Sequence, residues 1–128
     1  MKVTFSWEGA EGKVSPHCTS ETVNADGLNL LTCILMDDGG IPYLQSVSWI
    51  REGIMKIDSV INDEVTTNHW GRESWEALIT ADNAKIYSLH DDAYFEGICL
   101  QKFRKALVLW VDFIESKPCL DERKEVEL

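Results

Sequence analysis

The stretch from residue 100 to residue 114 constrains the fold most, because its apolar residues recur at helical intervals. Steps of three and four residues place these side chains on one side of an α-helix. Pro118 ends the pattern, since proline rarely continues a helix. The sequence therefore predicts an amphipathic helix that must pack against a larger apolar surface. Its apolar positions are Leu100, Phe103, Leu107, Trp110 and Ile114.

A second amphipathic helix is predicted from Leu44 onward. Its apolar residues again follow three- and four-residue steps, and charged residues occupy the intervening positions. Gly53 lies inside the pattern and is expected to weaken the helix. The apolar positions are Leu44, Val47, Ile50, Ile54, Ile57 and Ile61.

Three other stretches are predicted to form strands. Residues 2–7 alternate between polar and apolar, as in a half-buried strand. Residues 28–36 are apolar at both odd and even positions, so both faces of a strand formed there would be apolar. This favours a central strand and leaves a short buried helix as the alternative. Residues 75–80 and 85–89, with a polar turn between them, predict a β-hairpin.

The remaining segments contain turn-forming or charged residues. Residues 8–27 are rich in Gly, Ser, Pro, Asn and Asp and are predicted to form a long loop. Residues 119–128 are mostly charged and are expected to fray. The sequence thus predicts one α+β domain spanning residues 1–128, best defined over residues 44–116. It consists of an antiparallel sheet of about five strands with helices packed on one face, in the order ββαβββα.

Charge restricts the partners of this protein. Its 128 residues carry a net charge of −10, and 45% of them are hydrophobic, enough for a real core. Residues 37–96 hold twelve acidic and four basic residues, so the middle of the chain supplies most of the negative charge. Such a chain is expected to repel nucleic acid and anionic membranes and to favour a basic partner.

The cysteines indicate a reducing compartment. Cys18, Cys33, Cys99 and Cys119 form no C-x-x-C pair and no zinc-type spacing. The first residues lack the apolar segment of a signal peptide, and no apolar run is long enough to span a membrane. We therefore expect a cytoplasmic protein with free thiols.

No catalytic or nucleotide-binding motif is present in the sequence, so an enzyme is not expected and no cofactor is predicted. Two alternatives stay open. One is a small metal-dependent hydrolase in which His90, Asp91 and Asp92, with His69, hold a divalent cation. The other is an adaptor that forms a homodimer through an open sheet edge.

The second half of the chain resembles a known group of proteins. An apolar helix is followed by WGRESWEALIT, by the strand segment AKIYSLHDD and by FRKALVLWVDFIES. This arrangement resembles the small immunity proteins of bacterial polymorphic toxin systems, including contact-dependent growth inhibition, over about residues 44–116. The resemblance implies a cytoplasmic antidote that binds and blocks a toxin's C-terminal domain, commonly a nuclease. We expect the protein to be a monomer or weak dimer.

The partner-binding residues are predicted from charge and from the types that dominate protein interfaces. Trp70 lies outside the alternation of the following strand and is expected to be an exposed anchor. Trp75 shares parity with Ala77 and Ile79 and is expected in the core. The predicted contact set is Asp58, Asp63, Glu64, Trp70, Arg72, Glu73, Glu76, Asp91 and Asp92.

Overall fold

The computed structural model describes residues 1–10 and 12–128. Its three α-helices are α1 (Leu30–Leu35), α2 (Val47–Ile61) and α3 (Leu100–Glu115), and a 3-10 turn (Tyr43–Ser46) leads into α2. The strands are β1 (Lys2–Ala10), β2 (Lys13–Ser20), β3 (Thr67–Gly71), β4 (Trp75–Thr80), β5 (Ala84–Ser88), β6 (Asp91–Ile98) and β7 (Arg123–Glu127). None of the helices within these described ranges is long and apolar enough to cross a membrane.

The strands form two antiparallel sheets rather than one. The first has the order β2-β1-β7 and the second the order β3-β4-β5-β6. The predicted α+β class is confirmed, as are both long helices and the β4–β5 hairpin. The predicted single sheet of about five strands and the order ββαβββα are wrong. The strands divide between two sheets, and β2, β6 and β7 lie in segments that were expected to be loops or a frayed tail.

Four segments differ from their predicted structure. Residues 90–97, whose sequence predicts an acidic loop, form most of β6. The predicted loop 8–27 contains the end of β1 and all of β2, and these two strands pair antiparallel. The apolar segment 28–36 forms helix α1 instead of a central strand, because the Asn29 side chain accepts a hydrogen bond from the Thr32 backbone and caps the helix. The expected frayed tail contains β7, which pairs with β1 and buries Val126 against the core.

Helix α3 connects the two sheets. Phe5 of β1 packs against Trp110 of α3, with ring centroids 5.0 Å apart. One face of the second sheet contacts the same helix, because the Trp70 ring meets Phe103 edge-on at 6.0 Å. The broad apolar stripe predicted for this helix is thereby shared between two sheets, which form one continuous core with it.

Candidate protein-binding surface

Trp70 is a core residue, and its expected role as an exposed anchor is wrong. It lies on β3, and only 2% of its surface is exposed. Its indole stacks on Trp49 with centroids 4.3 Å apart and donates a hydrogen bond of 2.9 Å to the Trp49 carbonyl. Gly53 of α2 makes room for the ring. Trp75, expected in the core, is only half-buried at the start of β4.

Arg72 positions a loop instead of projecting as a free cation. Its guanidinium lies over the Trp49 ring, 4.3 Å from the centroid. One terminal nitrogen donates hydrogen bonds to the Asp38 carbonyl at 2.7 Å and to the Ser46 hydroxyl at 3.2 Å. A stacked guanidinium with two acceptors is held in one orientation. Arg72 therefore ties the loop after α1 to the end of β3.

Asp37 fixes the turn between β3 and β4. Its Oδ2 accepts hydrogen bonds from the backbone N–H groups of Glu73, Ser74 and Trp75, at 3.1, 2.9 and 3.1 Å. Bonds from N–H groups to a carboxylate are stronger than those between neutral groups. One carboxylate thus holds the backbone of three consecutive residues of the turn, including Glu73.

Acidic side chains gather at this end of the four-stranded sheet. The β3–β4 turn meets the β5–β6 turn, where the Leu89 N–H donates to the Ser74 carbonyl at 2.9 Å. Asp91 follows at once, opposite Ser88 in the β5–β6 pairing. We call this group the acidic end. It consists of Asp37, Asp38, Glu73, Asp91 and Asp92, all exposed except the half-buried Asp37.

The other predicted acidic residues lie elsewhere. Asp58, on α2, accepts hydrogen bonds of 2.6 and 3.1 Å from the Arg104 guanidinium, which lowers the pKa of its carboxyl. Asp63 and Glu64 follow the C-terminus of α2 and precede β3, whereas Glu73 follows β3. Asp63 adopts a left-handed backbone conformation with φ of 58°. The nine predicted residues therefore do not form one patch.

One face of the four-stranded sheet is open to solvent. The pairing register aligns Gly71, Glu76, Tyr87 and Phe95 across the four strands, and 54% of the Phe95 surface is exposed. The Glu76 carboxylate accepts a hydrogen bond from the Tyr87 hydroxyl and lies 3.9 Å from His69 Nδ1. We call this surface the open face. It consists of His69, Glu76, Leu78, Lys85, Tyr87 and Phe95.

The open face has a distinctive chemistry. Partial burial and then the Glu76 carboxylate raise the pKa of Tyr87 to about 12, and Asp92 acts in the same direction. The Lys85 ammonium lies 4.3 Å from the centre of the Phe95 ring and 5.9 Å from that of Tyr87. Lys85, Tyr87 and Phe95 were not predicted from the sequence to be surface residues. Alternation through β5 and β6 is the signal that could have found them, but the acidic composition of residues 90–97 predicts a loop there.

The arrangement fits contact with another macromolecule. Aromatic, cationic and acidic side chains lie side by side on a sheet face, beside a cluster of carboxylates. Within residues 1–10 and 12–128, no group of three or more His, Cys, Asp or Glu side chains is arranged to hold a metal ion. No protein-family model, no curated protein and no solved structure is similar enough to this chain to count as a match.

Proposed function

We propose that this protein is an immunity protein, an antitoxin that binds and neutralises a cognate toxin domain, most simply a nuclease with a basic surface. The observation that carries the proposal is the junction of the acidic end with the open face. Carboxylates there border the exposed Phe95 ring and the half-buried Tyr87 ring, the combination that protein interfaces use for charge selection and for anchoring. The antidote acts in the cytoplasm by binding, without chemistry of its own.

Electrostatics supplies the selectivity in this proposal. A nuclease presents positive charge to phosphates, and a surface with a concentrated negative field can occupy the same site. Glu73, Asp91 and Asp92 are exposed and have no basic partner within salt-bridge distance among the described residues. They can therefore pair with lysines and arginines of the toxin. Complementary charge raises the association rate and disfavours partners of the same sign.

The open face supplies contact area. Phe95 and Tyr87 offer large rings at low conformational cost, and Glu76 holds the Tyr87 hydroxyl in place. Trp70 and Arg72 support the surface without contacting the partner. Trp70 is buried in the core, and Arg72 holds the loop that contains Asp38. Asp58, Asp63 and Glu64 lie outside the proposed interface.

Co-expression with the toxin domain encoded by the neighbouring upstream reading frame tests the function. We expect the protein to restore growth and to elute with the toxin domain as one complex from a sizing column. Continued cell death with both proteins present, together with separate elution, would contradict the proposal. Growth should also be restored when this protein is expressed from a second plasmid, because an antidote acts as a separate protein.

Two charge reversals of equal size locate the interface. The variant carrying Glu73→Lys and Asp92→Lys changes the acidic end, and its matched control carries Asp63→Lys and Glu64→Lys at the other end of β3. We expect the first pair to slow association with the toxin domain at least tenfold at low salt, with the difference shrinking at high salt. The control pair should have a much smaller effect. Equal effects from both pairs would mean that only net charge matters and would refute the assigned surface.

A further inference from the structure

A cleft of about 380 Å³ opens beside the acidic end. One wall is the edge strand β2, through Pro16 and His17, and the other is the segment from Asp38 to Tyr43 that joins α1 to the turn before α2. Its lining includes Leu35 of α1 and Trp110 and Ile114 of α3. The cleft thus lies where the first sheet, two helices and the Asp38 loop meet.

The deep part of the cleft consists of core side chains. Leu35, Trp110 and Ile114 are 3%, 2% and 2% exposed and belong to the central hydrophobic cluster. Ile41, at 36% exposed, adds apolar surface where the cleft opens to solvent. Water in such a site contacts mainly carbon atoms, so an apolar group that replaces it is favoured.

Asp38 links this cleft to the acidic end. Asp38 is one of the lining residues, and its carbonyl accepts the hydrogen bond from Arg72 at the end of β3. Ser46, also in the lining, accepts a second bond from the same guanidinium. A chain drawn to the carboxylates of Asp38 and Glu73 therefore arrives next to an apolar opening.

We infer that the cleft receives one apolar side chain, aromatic or branched aliphatic, from the basic toxin domain. The inference rests on the proposed function and assigns the anchor point of that partner. Charge complementarity at Asp38 identifies the occupant as a segment of a basic protein, and the apolar lining selects an uncharged side chain within it. The volume is at the small end of the range for ligand sites, about 300–1,000 Å³, and is large enough to admit one such side chain. Interfaces concentrate their affinity in such desolvated pockets.

A pair of matched substitutions separates insertion from simple charge attraction. Ile41→Glu places a carboxylate in the cleft opening, and Leu44→Glu places the same charge three residues later, at a 59% exposed position outside the cleft lining. Charge attraction alone predicts that both variants bind the toxin domain at least as tightly as the wild type. Insertion predicts that Ile41→Glu weakens binding about 30-fold whereas Leu44→Glu does not. Dissociation constants from isothermal titration decide between them, with thermal unfolding as the check on folding.

A partner-independent measurement tests the cleft itself. N-acetylphenylalanine amide, titrated into the wild-type protein, should shift the methyl resonances of Leu35 and Ile114 saturably and leave those of Ile61, on the exposed end of α2, unchanged. Absence of a saturable shift, or an Ile41→Glu variant that folds and binds the toxin as tightly as wild type, overturns the inference. A toxin domain that fails to bind the wild-type protein refutes the proposed function instead, and the methyl shifts then show whether the cleft still accepts an apolar group.

Discussion

Replacing Gly53 by alanine should destabilise the protein, although alanine is the better helix former. A Cβ at this position would lie 2.7, 2.9 and 2.9 Å from Cε2, Cδ2 and Nε1 of the Trp70 indole. That ring cannot easily retreat, because Trp49 stacks on it and its N–H is bonded to the Trp49 carbonyl. The added methyl group must therefore displace helix α2 or the paired indoles.

The size of the effect follows from two opposing contributions. Alanine in place of glycine in a helix interior contributes about 1 kcal/mol of stability. An extra methyl group forced into a filled core costs about 1–3 kcal/mol, and the rigid ring at this site favours the upper part of that range. The net loss is about 1–2 kcal/mol in the free energy of unfolding. For a domain of this size, that lowers the melting temperature by about 4–7 °C.

Urea unfolding followed by circular dichroism measures this change, with Ser48→Ala on the exposed side of α2 as the control, expected within about 0.5 kcal/mol of the wild type. Combining Gly53→Ala with Trp70→Leu should remove part of the penalty, since the ring that causes the clash is gone. A Gly53→Ala protein more stable than the wild type would refute the packing argument and leave only helix propensity.

Three further predictions follow from the site. Asp37→Asn should lower the free energy of unfolding by about 1–2 kcal/mol, measured by urea unfolding, because a carboxylate that accepts three N–H bonds becomes a neutral amide. With Ellman's reagent, the exposed Cys99 thiol, whose pKa is lowered by backbone hydrogen bonds, should react quickly. Cys18, whose pKa burial raises to about 12, should react only on unfolding. Ultraviolet titration should show Tyr87 ionising near pH 12, and Glu76→Gln should lower that pKa. Because the pKa of Tyr87 is raised in the folded state, the neutral hydroxyl stabilises the fold fully below about pH 10. This stabilisation is lost as the pH rises towards about 12. An unchanged Tyr87 pKa in that variant would contradict the assigned hydrogen bond.

The helices could be predicted because their signal is local. Apolar spacing from Val47 to Ile61 and from Leu100 to Glu115 repeats over several turns, and both predictions agree with the structure to within a few residues. Helix α1 was predicted only as the alternative to a strand, because its six residues are too few to show periodicity and its main signal is the single capping residue Asn29. Strand β2 was missed because Pro16 and a run of small polar residues obscure the alternation of an edge strand.

The candidate surface depended on contacts that sequence spacing does not reveal. Trp70 is buried because Gly53 of α2 leaves space for its ring. The residues next to Trp70 in the sequence do not indicate this space. Glu73 and Asp92 share an end of the sheet because β4 and β5 reverse the chain between them. Charge counting identified the acidic middle of the chain but could not separate Asp63 and Glu64, which lie at the opposite end of β3.

The pairing of β7 with β1 has a consequence for how the protein is made. Val3 and Val126 are partners across this ladder, so the first sheet is completed by residues that leave the ribosome long after β1. Until then β1 also has an unpaired edge, in addition to the outer edge of β2, and it is open to the strands of other nascent chains. Pairing of β7 with β1 covers the free edge of β1. The outer edge of β7 then takes its place, and the charged residues Arg123, Lys124 and Glu125 make that edge a poor partner for further strands.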